Sequence, residues 1–137
     1  KDKKIQRYKS AEKESRDPLN VIGGTIFSGN LDITHPIGFG YKNENVALHK
    51  NTTSILPRPN NPYATVIEYQ DKPVISGYAS EENKKKLANT AALIAERKGE
   101  GSIILFADDP NFRATWYGTN KLFLNSLFFS SLFNPPR

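Results

Sequence analysis

The chain has 137 residues, 37% of them apolar and 24% charged, with 19 basic against 14 acidic side chains. This length suits one domain that buries roughly two thirds of the surface its unfolded chain exposes, and eight Phe, six Tyr and one Trp supply the bulk of a core. The lack of any cysteine excludes disulfides, thiolate zinc sites and cysteine nucleophiles, and no apolar run approaches the roughly 18 residues of a membrane-spanning helix.

The charge is unevenly spread. Residues 1–16 hold seven basic and three acidic groups, four of the five net positive charges. The remainder is nearly neutral. Phosphate recognition requires cations converging on one face, whereas Lys84-Lys85-Lys86 follows Glu81-Glu82 with only Asn83 between, at the spacing of ion pairs on a helix. No nucleic-acid partner is expected. The chain begins at Lys1, and no apolar stretch follows its charged start. No signal peptide is therefore read in it, and a processed product or a piece of a longer protein is expected.

Residues 1–20 read as a charged connector or helix end, with Ile5, Tyr8 and Ala11 recurring every three residues and Asp17-Pro18 stopping any helix. Residues 21–137 read as a single domain or part of one. Thr25-Ile26-Phe27 predicts a short strand interrupted at Gly29-Asn30. His35-Pro36-Ile37-Gly38-Phe39-Gly40-Tyr41 predicts a tight turn and then a closely packed strand. Val46 to His49 is the next strand, and residues 51–63, with Pro57, Pro59 and Pro62, form a loop. Ala64–Tyr69 and Val74–Tyr78 predict two strands about a turn at Gln70-Asp71-Lys72-Pro73, and Ser80 caps a short helix, Glu81–Leu87. Ala91–Ala95 and Ser102–Phe106 flank a hairpin reversal in which Gly99 and Gly101 supply positive φ angles. Asp108-Asp109-Pro110-Asn111 ends the second of these strands. The last element, about Tyr117 to Leu132, is apolar on more than one side, so it is expected to be a helix covered by a sheet and by something else. The fold class is α/β or α+β: a mixed sheet with a β-hairpin and a C-terminal apolar helix.

Few residues carry chemistry. His35 and His49 have no partner at metal-ligand spacing. His35, before a proline, either fixes its turn by a hydrogen bond or touches a ligand, and His49 reads as structural. Asp108 and Asp109 point opposite ways at a strand end and form no carboxylate pair. Asp109 and Arg113 are expected to pair across their loop; if they do not, Arg113 is open to ligand work. Trp116 and Tyr117 are either core or a sugar-stacking surface. The binding candidates are therefore Trp116, Tyr117, Arg113 and His35; Asp109, Gly99 and Gly101 are structural. No catalytic or metal-ligating residue is assigned, since no nucleophile–base pair is apparent.

Three stretches taken in order carry a resemblance. They are His35 to Tyr41; Ile75-Ser76-Gly77-Tyr78 before a short acidic helix; and Gly99-Glu100-Gly101-Ser102-Ile103-Ile104-Leu105-Phe106 running through Pro110-Asn111-Phe112-Arg113 to the Gly118–Asn125 helix. Over about residues 21–130 the chain resembles the C-terminal region of secreted zinc carboxypeptidase-like proteins, especially those of Bacteroidetes. There a peptidase domain precedes a domain similar to class I glutamine amidotransferases, with a flavodoxin-like sheet. The resemblance implies that the peptidase His-x-x-Glu motif and its zinc lie upstream, and that the amidotransferase cysteine is missing here. No catalytic residue carries over. What it implies is a noncatalytic accessory domain of an exported, periplasmic or secreted zinc carboxypeptidase, whose early strands lie outside this chain. Its partners would be the upstream peptidase domain or a second copy meeting the C-terminal helix. The competing reading is an independent periplasmic glycan- or peptide-binding module using Trp116, Tyr117 and the 51–63 loop.

Overall fold

A computed structural model describes residues 21–132; the charged connector expected over residues 1–20, and Phe133 to the end, lie outside the described residues. Five strands, β1 (Thr25–Leu31), β2 (Asn45–Lys50), β3 (Thr65–Ser76), β4 (Ala91–Lys98) and β5 (Gly101–Phe106), form one curled sheet in the order β2-β1-β3-β4-β5. Two helices, α1 (Glu81–Leu87) and α2 (Tyr117–Phe129), complete a mixed α/β domain. Every strand pairing is antiparallel, where the sequence had suggested a mixed sheet. For β4 and β5 the two-residue reversal Gly99-Glu100 dictates this, since a parallel pair would need a crossover of about a dozen residues.

β1 runs unbroken through Gly29-Asn30. A Cβ on Gly29 would lie 2.7 Å from Ile67 and 2.8 Å from Leu48, so glycine here is what lets β2 and β3 close on β1. The expected turn at Gln70–Pro73 lies inside one continuous twelve-residue strand. Pairing passes from Gly29↔Tyr69 to Phe27↔Val74, so these four residues bulge out of the ladder while the strand carries on. The strand expected at the end of the His35–Tyr41 run is absent. Pro36–Gly38 makes a single 3-10 turn instead, and the Asn125 amide of α2 donates to the Ile37 and Phe39 carbonyls at 2.8 and 2.9 Å, taking acceptors that a neighbouring strand would need.

The β4–β5 hairpin has a two-residue reversal, Gly99-Glu100. Gly99 takes a φ of +58°, but Gly101 does not need positive φ and opens β5 opposite Lys98. α1 begins at Ser80, whose hydroxyl accepts the Asn83 N–H at 3.2 Å. Its lysines pair with its acids, Lys84 with Glu81 at 2.8 Å and Lys86 with Glu82 at 2.6 Å. The lysines hold both carboxyls below the usual range, which takes two of the three clustered cations away from any phosphate.

The core lies between the concave face of the sheet and α2. Phe27 meets Tyr69 edge-on at 5.9 Å, with Leu31, Leu48, Ile67, Leu93 and Leu122 around them. A smaller cluster of Ala64, Ala91 and Ile94, with Leu56, fills the other face. Only one side of α2 is covered among the described residues. Thr119, Leu122, Asn125 and Ser126 point inward, while Leu124, Leu127 and Phe128 stand in solvent. Among the described residues, none supplies the cover expected on the helix's second side.

Candidate functional site

The polar heart of the molecule is where the ends of β2 and β5 converge. Lys50 follows Val46 and Leu48 at every second residue, so strand alternation turns it inward with them. Its side chain is 0% exposed. The ammonium donates to the Ala107 carbonyl and to Asp108 Oδ1, both at 3.0 Å. The Tyr69 hydroxyl, from the middle of β3, donates to Asp108 Oδ2. Both carboxylate oxygens are thus occupied, and three chain segments far apart in sequence are tied together. Burial raises the pKa of Asp108 above the ordinary carboxylate value, with Lys50 and the Tyr69 hydroxyl pulling the other way. Burial, reinforced by the Asp108 charge, pushes the Tyr69 hydroxyl far above its usual value. The cavity beside this group, lined by His49, Asp108 and Thr119, is about 10 Å³. That is the lower limit of room for one water and excludes a substrate. Lys50, Tyr69 and Asp108 form a latch between these segments.

The loop after the latch covers β2. Phe112 stacks on His49 with centroids 3.7 Å apart, and the Trp116 indole N–H donates to the Ala47 carbonyl at 3.1 Å, capping the outer edge of β2. Buried His49 Nδ1 has no hydrogen-bond partner among the described residues. Arg113 and Ala114 sit at φ of 51° and 53°, a left-handed conformation that costs an ordinary residue roughly 1–2 kcal/mol. The expected ion pair between Arg113 and Asp109 does not form. The left-handed backbone carries the guanidinium out over the Phe112 ring, 5.1 Å from its centroid, while Asp109 Oδ1 accepts the N–H of Asn111 at 2.9 Å.

The structure therefore gathers Arg113 and Trp116 around Phe112 and His49. Tyr117 begins α2, exposed. His35 takes no part: its Nδ1 accepts the Ile37 N–H at 3.2 Å and holds the 3-10 turn, and burial lowers its pKa against the pull of Asp32. Among the described residues no group of three or more His, Asp or Glu side chains is placed to hold a metal. A wide groove of about 590 Å³ lies between the β3 bulge and α1, lined by Asp71, Lys72, Glu81, Lys84 and Lys85, charges of both signs. Sequence reasoning missed Lys50 and Tyr69, for which the only signal was their in-phase position on apolar strands.

Comparison with protein-family models, curated proteins and solved structures found no match for this chain. What distinguishes its surface is apolar. Leu124 is 49% and Phe128 75% exposed on the side of α2 away from the sheet, and Phe39, 67% exposed, packs edge-on against Phe129 beside them.

Proposed function

We propose that this chain is a noncatalytic accessory domain of an exported zinc carboxypeptidase-like protein, and that it docks on the preceding peptidase domain through the outer face of α2. Docking of this kind stabilises the parent enzyme or positions its substrate. The zinc belongs to the peptidase domain in this reading, and the location is periplasmic or secreted. The observation that carries the docking part is Leu124 and Phe128, one turn apart on α2, outward and uncovered among the described residues, with exposed Phe39 against the neighbouring Phe129. Contiguous exposed apolar surface of this kind marks an interaction site. The parent activity and the finer likeness to a class I glutamine amidotransferase-like domain rest on the sequence motifs alone; the wholly antiparallel sheet lends the latter no support.

The binding-module reading is weaker because the Trp116 indole N–H is engaged by Ala47, and its ring lies 5.9 Å from His49 over β2. Two measurements test the proposal. Elemental analysis of the purified chain should find no stoichiometric zinc, and one tightly held zinc per chain would overturn the noncatalytic assignment. Co-expressed with a peptidase domain of the zinc carboxypeptidase-like kind, the chain should co-purify with it, and the double variant Leu124→Ser/Phe128→Ser should not; equal recovery of both would overturn the docking face.

A further inference from the structure

We propose that two copies of this chain associate edge to edge through β5, forming one continuous sheet across a two-fold axis. Among the described residues β5 lies at the end of the sheet and pairs only with β4. The ladder continues past it with the Ala107 N–H donating to the Ala92 carbonyl at 2.9 Å. Antiparallel alternation then turns Leu105 and Ile103 toward β4 and leaves the N–H and C=O groups of Ser102, Ile104 and Phe106 pointing outward. These outward groups have no partner among the described residues. The opposite edge differs, because Trp116 caps β2 at Ala47.

An exposed edge is normally protected by a charge, a proline or a bulge. Gly101-Ser102-Ile103-Ile104-Leu105-Phe106 has none of these. Apolar groups flank the free edge on both faces. Ile103 and Leu105 are 48% and 44% exposed on the side away from α2. On the other side, Phe123 lies against Phe106 and the Ser130 carbonyl accepts the Ser102 hydroxyl, so α2 runs along β5. Leu127, one helical turn from Phe123 and from Ser130, is 61% exposed.

The strand's own register points to a second copy as the occupant. An antiparallel pair centred on Ile104 sets Ile104 against itself and Ser102 against Phe106 of the other copy. All three residues present outward hydrogen-bonding groups, so every one finds a partner. The same register sets Ile103 against Leu105 on one face and brings Phe123 and Leu127 of the two copies together on the other. Since β5 carries no charge, no like charges meet along it. The hairpin end of one copy, with Arg97 and Lys98 outnumbering Glu100, comes to the Asp109 end of the other. Such an interface is isologous and closes at two copies. It leaves Leu124 and Phe128 free, so it is independent of the docking face above.

The absence of cysteine makes the test clean. Residues facing each other in a hydrogen-bonded antiparallel pair have Cα atoms about 5.5 Å apart, inside the disulfide range of about 4.4–6.8 Å. Full-length chain carrying Ile104→Cys should give a covalent dimer under mild oxidation, and Leu124→Cys should not. By sedimentation equilibrium the unmodified chain should double its apparent mass with rising concentration. Ile103→Lys/Leu105→Lys should remain a folded monomer whose melting temperature, unlike that of the unmodified chain, does not rise with protein concentration. An unmodified chain that stays monomeric to its solubility limit overturns the proposal. So does a dimer whose Ile104→Cys form does not cross-link, or open-ended assembly beyond two copies.

Discussion

The end of the sheet near Lys50 and the outer side of α2 invert the usual placement of polar and apolar groups. A lysine, a tyrosine and an aspartate are buried at the first, while a leucine and a phenylalanine face solvent at the second. The buried set is complete within the chain: the ammonium and both carboxylate oxygens have partners at hydrogen-bonding distance. The exposed set has no cover among the described residues. Inside, satisfied polarity fixes how the curled sheet closes. Outside, uncovered apolar surface calls for a partner. The difference separates residues that hold the fold from residues that use it, and substitution should separate them in the same way.

The largest effect should come from halving the latch. Lys50→Ala leaves the buried Asp108 carboxylate without its counterion, and denaturant unfolding should show a loss of about 3–5 kcal/mol. An unchanged midpoint would remove the latch from the account. Tyr69→Phe removes only one hydrogen bond to the same carboxylate, and the expected loss is about 1.5–3 kcal/mol because the acceptor is charged. Trp116→Phe keeps most of the ring contact and loses the bond to Ala47, so about 1 kcal/mol is expected. On the other side of the comparison, Phe128→Ser should leave stability within about 0.5 kcal/mol of the parent. A larger loss would mean that Phe128 belongs to the core and not to a surface.

A further effect concerns pH. Burial lowers the pKa of His35, so the folded state binds fewer protons at this site than the unfolded chain. The stability contributed by its neutral Nδ1 is present above about pH 6.5. It is lost as pH falls through the lowered folded value. His35→Asn keeps a side-chain acceptor for the Ile37 N–H and does not titrate there. Thermal melts of the two proteins should diverge between neutral and mildly acidic pH, the parent falling further by up to about 1 kcal/mol; parallel profiles would show that the turn does not depend on neutral His35.

Local signals made part of this fold legible. Ser80 as a helix cap, the β4–β5 hairpin with its glycine reversal, and β2 all follow from residues close in sequence, where hydrogen bonds and φ preferences decide the outcome. What stayed hidden depends on distant partners. Gly29 looks like a break until Leu48 and Ile67 are seen pressing on it. Pro73 in Gln70–Pro73 looks like a turn marker, but the β1 ladder resumes at Val74 and absorbs the extra residues as a bulge. The latch was hidden because Lys50, Tyr69 and Asp108 lie 19 to 58 residues apart, and nothing near any of them announces the other two. The expected Asp109–Arg113 pair failed for the converse reason: spacing suggested it, but backbone conformation turned the guanidinium away.

The docking claim is tested most directly by titration calorimetry of this chain against a separately produced peptidase domain of the zinc carboxypeptidase-like kind that the proposal makes its partner. The account predicts saturable binding with a negative heat-capacity change, the mark of buried apolar surface, weakened at least about tenfold, or about 1.4 kcal/mol, by Leu124→Ser/Phe128→Ser. Absence of binding by the unmodified chain, or equal affinity of the variant, would contradict it.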